Sequence, residues 1–124
     1  TTVDPVATAV RLANDQLAEE IFREENGTDM AVAQQTGMSK LERDALIGQA
    51  LDFEGRNQVD EAIACYEKAI RGGLRMTAAY FSIGRLYLQA GDMEKARRIL
   101  GVAVKDDAYT EAVKLAYGRA QKTH

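Results

Sequence analysis

The sequence predicts an all-α fold built from stacked helical hairpins, and three observations support this prediction. The first is a pattern that occurs twice between residues 43 and 107, at an interval of 34 residues and without a gap. The second is that its members are spaced three and four residues apart, which places them on one face of a helix. The third is a composition of 46% apolar and 28% charged residues with a single proline, typical of a helical protein.

The two copies of the pattern share one order of residue sizes. A large, a small and an aromatic residue lie on a first helix, and after a turn Ala, a larger residue and Ala lie on a second. The first copy consists of Leu46, Ala50, Phe53, Ala62, Tyr66 and Ala69, and the second of Tyr80, Gly84, Tyr87, Ala96, Leu100 and Ala103. No helix can bury such a face alone, but stacked hairpins bury all of them in one continuous core. That arrangement is a solenoid.

Gly84 favours a solenoid over a simple four-helix bundle. It stands between Tyr80 and Tyr87 on one helical face, so a neighbouring helix can approach closely there. Tyr66 on a second helix is a large side chain between small ones, and it can pack against the shallow surface that a small residue leaves on a neighbouring helix. A bundle with apolar periodicity gives no reason to repeat small residues every 34 positions.

The pattern resembles the tetratricopeptide repeat, which reads W-x2-L-G-x2-Y, then A-x3-F, then a closing Pro. The matching residues of the second copy are Tyr80, Ile83, Gly84, Tyr87, Ala96 and Leu100. The first copy departs from the pattern with Gln49-Ala50 in place of Leu-Gly, and Leu74 and Ala108 stand where the closing proline would be. The resemblance implies a right-handed α-solenoid of helix-turn-helix hairpins.

Residues 1–38 match no repeat and are predicted to form an N-terminal helical segment. Asp4 followed by Pro5 is a helix start, because Asp can accept a backbone N–H and Pro fits the first helical position. We expect a long helix at about 5–25 and a short helix at about 29–36. A narrow apolar stripe, typical of a coiled-coil seam, runs along the long helix at Val6, Val10, Ala13, Leu17 and Ile21. Its polar residues are expected to face elsewhere, at Arg11, Asn14, Asp15 and Glu19.

The repeat array is predicted over residues 39–124 and begins with a capping box of Ser39 and Glu42. It contains repeat one at about 43–76, repeat two at about 77–110, and a half repeat or C-terminal capping helix at about 111–124. The expected helices cover about 40–55, 59–71, 76–90 and 93–105, with a last helix from Ala108. A capping helix is expected because the open end of a solenoid must be covered.

Charge and hydropathy argue against two classes of partner. The formal net charge of −3 and a pI near 5.2 disfavour a nucleic-acid or anionic-membrane surface, which would need a basic excess on one face. No apolar run approaches the roughly twenty residues of a membrane span, and no signal peptide is evident.

The chain begins with Thr1 rather than Met, so we expect a fragment of a longer protein. A cytoplasmic location is favoured.

We expect no catalytic, cofactor-binding or metal-binding residues, and therefore no enzyme. His124 is the single histidine and stands at the last position, and Cys65 is the single cysteine. Gly72-Gly73 is not part of a phosphate-binding pattern. The calcium-loop spacing is absent from the acidic residues near the first turn, which are Glu19, Glu20, Glu24, Glu25 and Asp29.

The family resemblance implies a concave groove that is lined by the first helix of each hairpin and receives a peptide or helix of another protein. Its predicted lining is Ile47, Leu51, Glu54, Phe81, Arg85, Leu88, Leu115, Arg119 and Lys122. A specialised subclass holds acidic chaperone tails with Lys, Asn and Arg, but this chain has Ile47, Leu51, Ala112 and Ala116 at those places. The expected function is therefore that of a protein-interaction scaffold or adaptor whose partner is an apolar or amphipathic helix.

Two alternatives remain open from the sequence. The narrow stripe of the first helix fits a structural self-assembly module, in which that helix pairs with its own copy or enters a neighbouring groove. The chain can also be a regulatory segment of a larger protein.

Overall fold

The structure, a computed structural model, describes residues 4–23 and 37–122, with side chains as far as Arg119. Within these ranges the secondary structure is helical and contains no strand. The helices are α1 (Pro5–Phe22), α2 (Lys40–Gly55), α3 (Val59–Arg71), α4 (Thr77–Ala90), α5 (Met93–Ala103) and α6 (Thr110–Lys122). They confirm the predicted all-α solenoid of helical hairpins.

The predicted N-caps are present at the starts of α1 and α2. Asp4 is the N-cap of α1, and its Oδ1 accepts a hydrogen bond from the Val6 amide at 3.0 Å. Ser39 caps α2, with its Oγ accepting from the Glu42 amide at 3.2 Å. In place of the second half of the capping box, the Ser39 hydroxyl donates to the Glu42 carboxylate at 3.4 Å. The contacts of the Val6 and Glu42 amides satisfy donors that the first turn of a helix cannot pair itself.

The helix boundaries differ from the predicted ones mainly at the ends. α2 and α3 agree with the predicted ranges, but α1 ends at Phe22, three residues before the expected end, because Arg23 is extended. α6 begins at Thr110 instead of residue 108. The reason is a turn in which the Tyr109 amide donates to the Asp106 carbonyl at 2.9 Å. The short helix expected at 29–36 lies outside the described residues.

The two hairpins, α2 with α3 and α4 with α5, stack as the 34-residue pattern predicts, and α6 packs against α4 and α5. The small positions of the pattern are buried in both copies, together with the large residue that follows on the second helix. These residues are Ala50, Ala62, Tyr66, Ala69, Gly84, Ala96, Leu100 and Ala103. The 34-residue spacing therefore marks the positions that form the core.

The N-terminal helix is part of the same core and is not an appendage. α1 packs against α2, α4 and α6, which are the first helices of the successive units. Ala9, Ala13 and Leu17 of α1 are at most 3% exposed and belong to one apolar cluster with the hairpins. α1 therefore covers part of the surface that was expected to line the groove.

Candidate functional site

The groove expected from the family resemblance corresponds to the faces of α2, α4 and α6 that meet α1. α1 runs antiparallel to these helices. Its N-cap residue, Asp4, contacts Arg119 near the C-terminal end of α6. Glu20, near the C-terminal end of α1, contacts Lys40 at the start of α2. In this orientation the C-terminal end of α1 lies at the N-terminal ends of the groove helices. Opposed helix dipoles attract, so the direction is electrostatically favourable.

The buried face of α1 is broader than the coiled-coil seam that its sequence suggested. Ala9, Ala13 and Leu17 are buried, and half-buried residues flank them on both sides at Val6, Val10, Leu12, Asn14, Gln16 and Ile21. The expectation that Asn14 faces away from the apolar stripe is wrong, because Asn14 lines a cavity between α1 and the array. Three surrounding helices explain the width, since a seam meets only one or two partners.

Two predicted lining residues have no exposed surface. Ile47 on α2 and Phe81 on α4 are both 0% exposed, and α1 packs on both of these helices. An external partner therefore cannot reach them in this arrangement of the chain. The sequence predicts which side chains face the groove but does not reveal that a segment of the same chain covers them.

The other predicted lining residues lie around the edges of α1. Leu51, Arg85 and Leu88 are half-buried and line cavities, whereas Leu115 and Arg119 are exposed. Glu54 is half-buried and paired. The side chain of Lys122 lies outside the described part of the chain.

A carboxylate joins the first two hairpins beside the groove. Glu54 Oε1 pairs with Arg85 Nη2, and Glu54 Oε2 accepts a hydrogen bond from Tyr66 Oη at 2.6 Å. Both charged side chains are largely covered, with 11% exposure for Glu54 and 18% for Arg85. Burial raises the pKa of Tyr66, and the neighbouring Glu54 charge raises it further. Glu54 and Arg85, both predicted to meet a partner, thus hold the array together.

Polar contacts hold α1 at both ends. At its C-terminal end, the buried Lys40 ammonium donates to the Glu20 carbonyl at 2.7 Å and to Asp44 Oδ2 at 2.5 Å. A cation at a helix C-terminus is favourable because unpaired carbonyls carry partial negative charge there. At its N-terminal end, Arg119 Nη2 donates to Asp4 Oδ1 at 2.9 Å, and this hydrogen bond lowers the pKa of Asp4.

Tyr109 is a groove residue that the sequence analysis missed. Its ring lies 5.1 Å from the Phe81 ring between centroids, and its hydroxyl donates to Gln16 Oε1 on α1. Burial raises the pKa of Tyr109 to about 12. It belongs to the turn before α6, so no helical periodicity marks it in the sequence.

Cavities remain between α1 and the helices it packs on. One of about 300 Å³ lies at its C-terminal half, beside Gln16, Glu19 and the start of α4, and two others lie beside its N-terminal half and its middle. The larger of these two has a volume of about 460 Å³ and is lined by the N-terminal half of α1, by Arg85, Leu88 and Gln89 of α4, and by Ala116 and Arg119 of α6. The smaller, of about 230 Å³, lies between α1, α2 and α4. Val10, Arg85 and Gln89 line both. α1 therefore leaves space on both halves, and the cavity of about 460 Å³ lies beside its N-terminal half.

The comparison with protein families agrees with this geometry. A family profile described as tetratricopeptide repeat matches residues 47–112, which is more than half of the 124 residues. The chain belongs to the tetratricopeptide repeat family. No curated protein and no solved structure matched.

Tetratricopeptide repeats generally mediate protein–protein interaction and generally act as non-enzymatic scaffolds. The matched range begins at Ile47, inside α2, and ends in α6, so it covers most of the first hairpin and all of the second and excludes α1. α1 thus lies outside the matched repeats and packs on α2, α4 and α6. In the described ranges, no helix has both the length and the apolar character needed to cross a membrane.

Proposed function

We propose that this chain is a protein-interaction scaffold whose concave groove binds an amphipathic helix of another protein. One observation carries the proposal: α1, itself an amphipathic helix, lies in that groove against α2, α4 and α6. Its apolar residues face the array, and its acidic Asp4 meets Arg119 at the edge. Both contacts support an amphipathic helix with an acidic N-terminus as the partner.

The contacts of α1 indicate the chemistry of the partner. Small residues at positions equivalent to Ala9 and Ala13, both buried, permit close approach to the array, and a large aliphatic residue at the position of Leu17 is fully buried. A carboxylate near the N-terminus would pair with Arg119 and would orient the helix more than it would strengthen binding. Helix-in-groove recognition uses anchors at this kind of spacing.

An acidic C-terminal tail is a poor ligand for the same groove. The residues at the places of a carboxylate clamp include Ile47, Leu51 and Ala112, which cannot donate a hydrogen bond from their side chains. A carboxylate buried against them would lose its hydration without gaining a paired cation. Arg85 is already paired with Glu54.

The test uses a fluorescent synthetic peptide of residues 4–23, called the α1 peptide, and a chain whose own α1 is released by Leu17→Asp. Leu17 is 0% exposed, so a carboxylate there opposes docking. Fluorescence anisotropy should show saturable binding of the peptide to this chain. A further Leu88→Asp substitution in the groove should abolish it, while Val102→Asp, at an exposed position on α5, should leave it intact.

Circular dichroism checks that the released chain is helical, and Leu17→Ala serves as a milder release variant if Leu17→Asp unfolds. A folded released chain that does not bind the peptide contradicts the proposal. Binding that is equally sensitive to Leu88→Asp and Val102→Asp contradicts the assignment to the groove.

A further inference from the structure

We propose that α1 is a displaceable occupant of the groove, and that a partner helix displaces it by filling the cavities that α1 leaves open. This inference rests on the proposed function, because it specifies which helix the groove prefers. The cavities of about 460 and 230 Å³ beside α1 are then the places where a partner helix makes contacts that α1 does not make.

The first argument is the unfilled volume. The cavity of about 460 Å³ is bounded by Val6, Ala7 and Val10 on α1 and by Leu88 and Ala116 across the groove. A water molecule takes about 30 Å³ in the liquid, so this space can accept several additional side-chain groups. A helix with larger residues at the places of Ala7 and Val10 would bury apolar surface that α1 leaves in contact with solvent.

The second argument is a pair of unmade hydrogen bonds. Asn14 Oδ1 on α1 and Arg85 Nε on α4 are buried and have no hydrogen-bond partner among the described residues. Both residues line the cavity of about 230 Å³. Neither atom is satisfied by a protein group in the described part of the chain, so the contact of α1 with α4 is incomplete at this point. A partner with an acceptor long enough to reach Arg85 Nε would satisfy one of these atoms.

The third argument concerns where α1 is held. Leu17 is buried in the C-terminal half, where Gln16 also accepts from Tyr109 and Lys40 binds the Glu20 carbonyl. The N-terminal half contributes two buried alanines, Ala9 and Ala13, and half-buried aliphatic residues. Its charged contact is the ion pair of Asp4 and Arg119, whose side chains are 43% and 56% exposed. Exposed ion pairs add little stability, so displacement begins at the N-terminal half.

The experiment uses the chain with its own α1 and three synthetic peptides. The first is the α1 peptide. The second, the filled peptide, carries Ala7→Leu and Val10→Leu, both facing the larger cavity. The third is a matched control with Thr8→Leu and Arg11→Leu, two exposed positions of α1. Anisotropy measures binding, and hydrogen–deuterium exchange with mass spectrometry measures protection of α1 and α4.

The filled peptide should bind at least tenfold more tightly than the α1 peptide, because it buries additional methylene groups. The control peptide should bind no more tightly than the α1 peptide. On addition of the filled peptide, amides of residues 5–22 in the chain should lose protection while those of residues 77–90 keep theirs.

Two results would overturn the displacement. One is that the filled peptide binds while α1 keeps its protection; the other is that it fails to bind at concentrations that saturate the Leu17→Asp chain. In both cases helix binding by the released groove stands, so the proposed function survives. If the released chain also binds no peptide, the proposed function fails with the displacement.

Discussion

Gly84 on α4 lies directly against the side chain of Leu100 on α5. A Cβ atom at position 84 would stand 2.5 Å from Leu100 Cγ and 3.0 Å from Ile99 Cγ2, closer than carbon atoms can pack. The two residues occupy the small and large positions of the second repeat copy, as Ala50 and Tyr66 do in the first. The close approach expected at Gly84 is therefore made by the second helix of its own hairpin.

Gly84→Ala should lower the free energy of unfolding by about 1–3 kcal/mol, and Gly84→Leu should lower it more, because the added atoms force Leu100 and Ile99 apart. Thermal and denaturant melts would measure the change. The matched control is Gly101→Ala on α5, where no atom lies within 4 Å of the added Cβ. That change should stabilise by about 0.5–1 kcal/mol, as alanine does in helices. Equal effects at the two positions would refute the packing argument.

Leu17→Ala should reduce stability by about 2 kcal/mol or more, since Leu17 is fully buried between α1 and the array. Thr8→Ala, at an exposed position of the same helix, should change it little. Sedimentation should give a monomer for the parent and for both variants, because the contacts of α1 are made within one chain. A parental dimer that Leu17→Ala dissociates would instead support the self-assembly alternative, by exchange of α1 between copies.

Glu54→Ala should destabilise the array by about 1–3 kcal/mol, because it leaves the largely covered Arg85 guanidinium without its counter-ion and Tyr66 Oη without its acceptor. Arg85→Met in the same chain should recover part of the loss. A double-mutant cycle on urea melts measures the coupling. The control pair is Arg98 and Glu94 on α5, both about three-quarters exposed, whose cycle should give a much smaller coupling.

Tyr109 should make the stability of the fold sensitive to alkaline pH. Burial raises its pKa from 10.0 to about 12, so the folded state keeps a proton that the unfolded state loses first. Its contribution is complete below pH 10 and declines as pH rises towards 12, at no more than about 1.4 kcal/mol per pH unit.

Unfolding free energies at several pH values would test this against Tyr109→Phe. The variant should show a shallower decline between pH 10 and 12, because it has no hydroxyl to ionise and none to donate to Gln16. Tyr66 and Tyr87, whose pKa values are also raised by burial, remain in both chains and contribute equally. If the unfolding free energies of the parent and of Tyr109→Phe declined in parallel with pH, ionisation of Tyr109 would not contribute to the decline.

The hairpins could be predicted because their signals are local. The 34-residue register, the N-caps at Asp4 and Ser39, and the limits of α2 and α3 all depend on neighbours within about one helical turn or one repeat. Helix ends were less accurate where a turn competes, as at Asp106 and Tyr109. There a backbone hydrogen bond between residues three apart takes precedence over helix propensity.

The groove could be predicted only in part. Periodicity identifies Ile47 and Phe81 as facing inward, and the family resemblance assigns that face to the groove, but neither indicates what covers it. A carboxylate and a guanidinium 31 residues apart, Glu54 and Arg85, carry no sequence signal that they pair with each other and not with a partner. The unfilled space beside α1 depends on side-chain volumes from three helices at once.

By itself, the sequence determined the repeat register, the helical hairpins and the apolar face of the N-terminal helix, because all three follow from spacings of a few residues. Only the tertiary structure decided that this face packs against α2, α4 and α6. Asp4 and Arg119 meet across 115 residues of chain, and Gln16 and Tyr109 across 93. A helix's pattern specifies which side must be buried, but any surface of complementary shape can bury it. The choice among such surfaces is made by the packing of the whole chain.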